Sequence, residues 1–343
     1  TFHNPLHQGH APVHEFFRGE RVPCFEKPAR VDYVEEALRA RGHTMAAPDV
    51  DCSAVLEQVH APRYLAFLQT AWQQWLALNP ANDAVQPFPS VWPVRTLRSD
   101  VEPDNFVARL GLYSMDNGTP MAAGTWAAAK AGADAAASAA ARVAPGTRAA
   151  FCCTRPPGHH AGPDFMGGYC FLNNAAVAAQ TLRNQGAQRV AVLDVDYHHG
   201  NGTQSIFYDR SDVLFISIHG DPRTEYPFYL GHADETGEGA GAGFNLNLPL
   251  PAGTSAATWF DALEQACLRI TDHRADGLVI SLGLDAFEGD PISRFALASS
   301  DFTRLGERLA RLCLPTVFVL EGGYAAAELG TNAVNVLDGF EQA

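Results

Sequence analysis

From about residue 148 the chain repeats one pattern: a short apolar, β-branched run, a polar loop, then a stretch of helical spacing. That order is the signature of successive βαβ units and of a parallel sheet. The runs are RAAFCC, RVAVLDV, DVLFISI, GLVISLG and TVFVL. Between them NNAAVAAQTLRNQG, closing at Gly186, and SAATWFDALEQACLRITDH carry helical spacing and would cover the sheet faces. GTWAAAKAGADAAASAAARVA is helical by propensity and reads as a tightly packed helix without chemistry. The first half is less regular, with helical patterns at Ala29–Arg41 and Ala61–Leu76. Residues 79–120 are rich in Pro, Asn, Asp and Gly; a loop of that length is expected to border an active-site mouth. The predicted fold is α/β, one domain over residues 1–343, with a mostly parallel sheet flanked by helices on both faces.

Composition narrows the function classes. Hydrophobic residues at 47% and charged residues at 18% suit a soluble globular protein with a substantial core. The 38 acidic against 24 basic side chains give a net charge of -14, which repels phosphate backbones and attracts cationic ligands. Nucleic acid is therefore not an expected partner. No stretch reaches the roughly 18 apolar residues of a membrane span, and the first residues do not resemble a signal peptide, so a cytoplasmic location is expected. Seven cysteines without a CxxC pair suggest reduced thiols, most of them in the core.

The chemistry-bearing residues follow the apolar runs. RAAFCC leads into TRPPGHH, RVAVLDV into DYHHGNG, DVLFISI into HGDP, GLVISLG into LDAFEGDP and TVFVL into EGGY. Open α/β sheets bind their ligands at that end of the strands. Asp194, Asp196 and His198 alternate, so persisting strand geometry would send their side chains to one side. With Asp285 from a later strand end, Asp196 and His198 make two carboxylates and an imidazole, a catalytic zinc set with a position left open; Fe(II), Co(II) or Mn(II) would also suit the oxygen donors. His159 and His160, presented rigidly behind two prolines and a glycine, are suited to moving a proton from an attacking water to a leaving amine. Asp194 and Asn201 are available to orient one imidazole each. The glycines of EGGY permit close backbone approach to the metal, and Tyr324 can aim its hydroxyl at a developing oxyanion. Each residue alone has a plain structural reading as a capped turn, a satisfied loop or packing. Their joint arrival at five strand ends is what one hydrolytic site requires.

The motifs RPPGHH, GGYCFLNNAAVAAQ, VLDVDYHHGNGTQ, SIHGDP, LGLDAFEGDP and EGGY, in that order, resemble those of the histone deacetylase superfamily, most closely its bacterial acetylpolyamine amidohydrolase branch, within the arginase-like α/β fold. PCFEKPAR and VHAPRYLAFL extend the resemblance over nearly the whole chain. It implies zinc held by Asp196, His198 and Asp285, His159 and His160 as a tandem acid/base pair, and Tyr324 as the carbonyl-polarising group. It implies a potassium ion on the Asp194 and Ser217 side chains and the main-chain oxygens of Asp196, His198 and Ile218. It places Tyr169 and Tyr226 on the substrate tunnel, with Gly168 and Gly322 in the substrate-binding surface, and Arg30 beneath the catalytic centre. Two departures stand out. Asn201 replaces the aspartate of class I deacetylases, which lowers the proton affinity expected of His160. A gapless reading puts Val107 and Gly118 where that branch carries acidic residues for the distal ammonium, leaving Glu102, Asp104 and Asp116 as substitutes.

The reading that results is a zinc-dependent deacetylase of small N-acetylated amines such as acetylputrescine or acetylcadaverine, and by the same resemblance a homodimer. A protein acetyl-lysine deacetylase, or an amidase for another small acyl amide, is the enzymatic alternative. A non-catalytic acylamine-binding protein is disfavoured by the presence of Tyr324 and both histidines. A ureohydrolase of the same fold is disfavoured because the ligands serve one metal.

Overall fold

A computed structural model describes residues 1–143 and 147–343. The strands are β1 (Phe2–His3), β2 (His14–Phe17), β3 (Glu20–Pro23), β4 (Ala149–Cys153), β5 (Val190–Asp194), β6 (Val213–Gly220), β7 (Asn245–Leu250), β8 (Gly277–Leu282) and β9 (Thr316–Leu320). The helices are α1 (Ala29–Ala40), α2 (Ser53–Val59), α3 (Pro62–Leu78), α4 (Phe106–Leu112), α5 (Thr125–Arg142), α6 (Asn174–Asn184), α7 (Asn201–Phe207), α8 (Ala256–His273), α9 (Ser299–Ala310) and α10 (Ala326–Gln342). The main sheet runs β1-β4-β9-β8-β5-β6-β7 with every pairing parallel, while β2 and β3 form a separate antiparallel hairpin.

Successive side chains of a strand leave on opposite faces, and the core divides accordingly. Val190, Val192, Phe215, Val279 and Val317 join one apolar cluster with α3, α5 and α6. Ala191, Leu193, Ile216, Ile280 and Phe318 join the other, beneath α1, α8, α9 and α10. Coverage on both faces explains why these strands read as unbroken apolar runs. The alanines of α5 are mostly buried, and a side chain at Gly132 would come within 2.5 Å of Thr154 Oγ1, so small residues let this helix approach the sheet. The alanine-rich segment predicted to continue to Ala144 ends at Arg142; Ala144 lies outside the described residues.

Boundaries follow local chemistry. The Asn173 side chain accepts from Ala176 N at the start of α6, and Ser255 accepts from Thr258 N at the start of α8. Gly186, at φ 108°, follows α6 as its sequence implied. Residues 79–120 contain more order than expected: a 3-10 turn at Pro80–Ala84, and α4, capped by Asn105. Phe106 and Leu110 of α4 are buried in the α3 layer, which stabilises a helix too short to stand alone. Among the described residues all seven cysteines are free, and no helix is long and apolar enough to cross a membrane.

Candidate active site

The loops after β4, β5, β8 and β9 converge at the carboxyl end of the sheet, where strand order departs from chain order. Strand geometry ends at Asp194, so alternation is not what gathers the next residues. Side-chain turns do it instead: Asp194 Oδ1 accepts from Asp196 N at 3.1 Å, and Asp196 Oδ1 accepts from His198 N at 2.9 Å. Asp285 Oδ1 accepts from Tyr197 N at 2.8 Å, tying the β8 loop to the β5 loop. His198 Nδ1 then lies 3.0 Å from Asp285 Oδ2 and 3.3 Å from Asp196 Oδ1.

This donor set fits a divalent cation. Ligand atoms of Asp196, His198 and Asp285 lie within 4.8 Å of one another, and both carboxylates are buried. The backbone around them is cleared of side chains. A Cβ at Gly322 would stand 2.6 Å from Asp196 Oδ2 and 2.9 Å from Asp285 Oδ2, and one at Gly283 would stand 2.3 Å from Asp196 Oδ2. Gly322 N donates to Asp196 Oδ2 at 2.8 Å. Burial, then the neighbouring Asp196 carboxylate, pushes Asp285 up to about 7. Two carboxylates packed this closely away from water need positive charge between them, and a metal held by the three side chains would supply it.

The tandem histidines occupy unlike environments. His159 Nδ1 is 2.9 Å from Asp194 Oδ2, and its Nε2 is 3.8 Å from Asp196 Oδ1. Burial opposes its charge, yet Asp194 and Asp196 outweigh burial and raise it to about 10. His160 Nδ1 is 2.7 Å from Asn201 Oδ1. Burial, then the His159 and His198 imidazoles, holds His160 well below the ordinary histidine range. The rings of the two histidines are 4.0 Å apart. Glu321, quoted with EGGY but given no role from sequence, anchors this loop: its Oε2 accepts from Gly158 N at 2.6 Å and His159 N at 3.1 Å.

A cavity of about 690 Å³ opens over this floor, lined among others by His159, His160, His198, Gly168, Tyr169 and Tyr324. Gly168, at φ 51°, abuts His160, whose Cδ2 would lie 2.1 Å from a Cβ there. Gly322 packs on the two carboxylates and is absent from the cavity wall. Tyr226 stands edge-on to His160 at 4.9 Å, and Tyr169 to Tyr324 at 5.8 Å. Burial drives the Tyr324 phenol well above its ordinary range, with Arg30 opposing. Arg30 lies beneath: its guanidinium is 4.7 Å from the Tyr324 ring centroid, and it donates to Gly323 O and Glu321 O, each at 2.6 Å. A buried carboxylate, Glu26, holds Arg30 at 3.0 Å and grips Arg155 at 2.7 and 2.6 Å. Of the residues expected to hold potassium, Asp194 sits opposite Ser217 in the β5/β6 register and Ile218 follows; the Ser217 hydroxyl is 2.8 Å from His219 Nδ1.

The acidic candidates separate. Only Asp116 lines the cavity; Glu102 accepts from Tyr113 Oη at 2.7 Å and faces Arg109 instead, and Asp104 is exposed away from the wall. Asp116 acts as a clamp, its Oδ2 accepting from Tyr226 Oη and Gly168 N, each at 2.7 Å. Glu15, on β2, has no local motif to mark it. Its Oε1 accepts from Tyr169 Oη at 2.8 Å across 154 positions of sequence, and burial pushes it up to about 7.

The histone deacetylase domain matches residues 24–340. The chain belongs to the histone deacetylase family. Acetylpolyamine amidohydrolases are among its relatives in that family. Acetylpolyamine amidohydrolase 2 of Pseudomonas aeruginosa is 53% identical over 342 residues, covering 99% of this chain and 98% of the relative. Acetylpolyamine amidohydrolase of Mycoplana ramosa is 44% identical over 326 residues, covering 95% and 94%. The crystal structure of acetylpolyamine aminohydrolase from Burkholderia pseudomallei superposes with a TM-score of 0.93 at 40% identity, covering 99% of this chain and 98% of that one. Among family members, the chain thus sits with the acetylpolyamine branch throughout its length.

Proposed function

We propose that the chain hydrolyses the amide bond of small N-acetylated amines, acetylpolyamines such as acetylputrescine and acetylcadaverine, releasing acetate and the free amine. The observation that carries this reading is the cavity floor, where a buried metal-ligand set, two differently tuned imidazoles and a phenol meet. Asp196, His198 and Asp285 would hold zinc, which when bound polarises a carbonyl and acidifies water. Asp194 favours a charged His159, while the neutral Asn201 and the adjacent imidazoles favour a neutral His160. His160 therefore takes the proton from the attacking water, with its Nδ1–H held by Asn201, and returns it to the departing amine nitrogen. His159 remains charged and stabilises the negative charge that develops. The Tyr324 hydroxyl donates to the carbonyl oxygen as it becomes an oxyanion. Tyr169 and Tyr226 align the alkyl chain and exclude water.

A potassium ion would be held by Asp194, Ser217 and the main-chain oxygens of Asp196, His198 and Ile218, which the β5/β6 register supports. The same reading takes the protein as a single-domain cytoplasmic homodimer, checked by sedimentation velocity. The deciding experiment is steady-state hydrolysis of acetylputrescine, acetylspermidine and an acetyl-lysine peptide by chelator-stripped protein, before and after one equivalent of zinc. Zinc-dependent turnover of the acetylamines is expected. Peptide preference would favour a protein deacetylase, and silence on all three would overturn the hydrolase reading.

A further inference from the structure

The cavity wall carries charges of both signs. The carboxylates of Glu15 and Asp116 accept hydrogen bonds from the Tyr169 and Tyr226 hydroxyls. Two exposed arginines also line the cavity: Arg18, in the β2–β3 turn, and Arg294, in the loop between β8 and α9. Neither guanidinium makes a side-chain hydrogen bond among the described residues. Arg18 lies 5.1 Å from the Phe17 ring centroid, and Arg294 Nη1 lies 3.9 Å from Glu225 Oε1. Glu225 is itself a cavity residue, 6% exposed, and its Oε1 has no hydrogen-bond partner. Next to it in sequence, Tyr226 stands against His160, while Ser293, which precedes Arg294, donates to the main-chain oxygen of Asp285. The Glu225–Arg294 pair therefore sits on the two segments that also flank the catalytic floor.

A mouth built only for a cationic amine gains nothing from Arg18, or from an Arg294 held to Glu225 by a long 3.9 Å ion pair, since guanidinium groups repel ammonium. A buried carboxylate beside an exposed guanidinium is instead a complementary pair for a group carrying both charges: the carboxylate takes an ammonium, and the planar fork takes a carboxylate in bidentate fashion. Resting on the amidohydrolase reading above, we propose that Glu225 and Arg294 form a subsite for an α-amino acid head group. Free amino acids acetylated on the side-chain amine, of the Nε-acetyl-lysine type, are then substrates beside the acetyldiamines. Arg18 reinforces the positive field at the entrance.

Acetylcadaverine and free Nε-acetyl-lysine test this because they differ by a single carboxylate. The quantity to read is the ratio of kcat/KM for acetyl-lysine to kcat/KM for acetylcadaverine, in the zinc-loaded wild type and in Arg294→Ala, Arg294→Lys and Arg294→Glu. A charge-assisted contact of this kind corresponds to roughly tenfold or more in affinity. The ratio should fall about tenfold in Arg294→Ala, recover in part in Arg294→Lys and fall further in Arg294→Glu. An unchanged ratio, or a wild type that cleaves acetylcadaverine but not acetyl-lysine, overturns the subsite and leaves the amidohydrolase reading standing. A wild type that cleaves neither overturns both. Arg294 is exposed, so a folding defect is not expected, and circular dichroism of each variant verifies this.

Discussion

Replacing Gly322 by alanine adds one methyl group at the most crowded point of the proposed metal centre. Gly322, unlike Gly323 at φ 121°, does not have a left-handed backbone, so alanine is conformationally admissible and the effect is steric. The new Cβ would stand 2.6 Å from Asp196 Oδ2 and 2.9 Å from Asp285 Oδ2, where ordinary contact begins at 3.4 Å. Asp196 Oδ2 must therefore retreat by about 0.8 Å, several times the ~0.2 Å tolerance of a metal–ligand distance. The same movement stretches the 2.8 Å hydrogen bond from Gly322 N. Losses of ligand support of this kind cost about 10- to 100-fold in metal affinity, or ~1.4 to 2.8 kcal/mol. Competition for zinc against a chromophoric chelator measures that loss directly, and a thermal melt of the metal-free protein separates it from global unfolding. Zinc affinity within about twofold of wild type would refute the reasoning, because it would mean that Asp196 and Asp285 do not hold the metal in the geometry described.

Tyr324→Phe should bind zinc as the wild type does while kcat falls about 100- to 1,000-fold, read from steady-state turnover and chelator competition together. Asn201→Asp places a carboxylate beside His160 in place of a neutral amide; the imidazole then holds its proton to higher pH, and the acidic limb of the kcat/KM profile should move upward. Asp116→Ala releases Tyr226 and Gly168 together and should raise KM for acetylcadaverine more than it lowers kcat, with zinc affinity retained. Burial opposes the charge of Glu26, but Arg155 and Arg30 outweigh it and lower the group from 4.5 to about 2. The stability it contributes is complete above pH 4.5 and is lost as the pH falls towards 2, so Glu26→Gln should lower Tm at neutral pH and flatten the dependence of Tm on pH over that window.

The sequence made the sheet legible where burial on both faces forced continuous apolar runs, and it made the site legible where function follows strand ends. RVAVLDV and TVFVL contain β5 and β9, and the residues just after them reach the cavity floor. The pattern at Ala29–Arg41 anticipates α1 to within one residue. Features that depend on distant partners were not legible. Helix α4 is stabilised by Phe106 packing against Phe67 and Trp75 of α3, a contact that composition cannot reveal. Glu15 has its partner in Tyr169, on the far side of seven strands and helices, and HEFF alone is an ordinary edge segment. Asp116 looked like an ammonium receptor from charge alone; the structure commits its oxygens to Tyr226 Oη, Gly168 N, Gly118 N and Thr119 Oγ1.

Those commitments leave the two tyrosines that line the passage with only their rings to offer a ligand. With the hydroxyls of Tyr169 and Tyr226 already committed to Glu15 and Asp116, a linker passing these rings meets aromatic carbon and no free hydroxyl from either tyrosine. A methylene chain loses nothing by leaving water there. An ether oxygen beside these rings gives up its hydration with no tyrosine hydroxyl to replace it, at a cost of about 1 to 3 kcal/mol. Inhibitors for this site should therefore keep their polar atoms at the two ends and hydrocarbon in between.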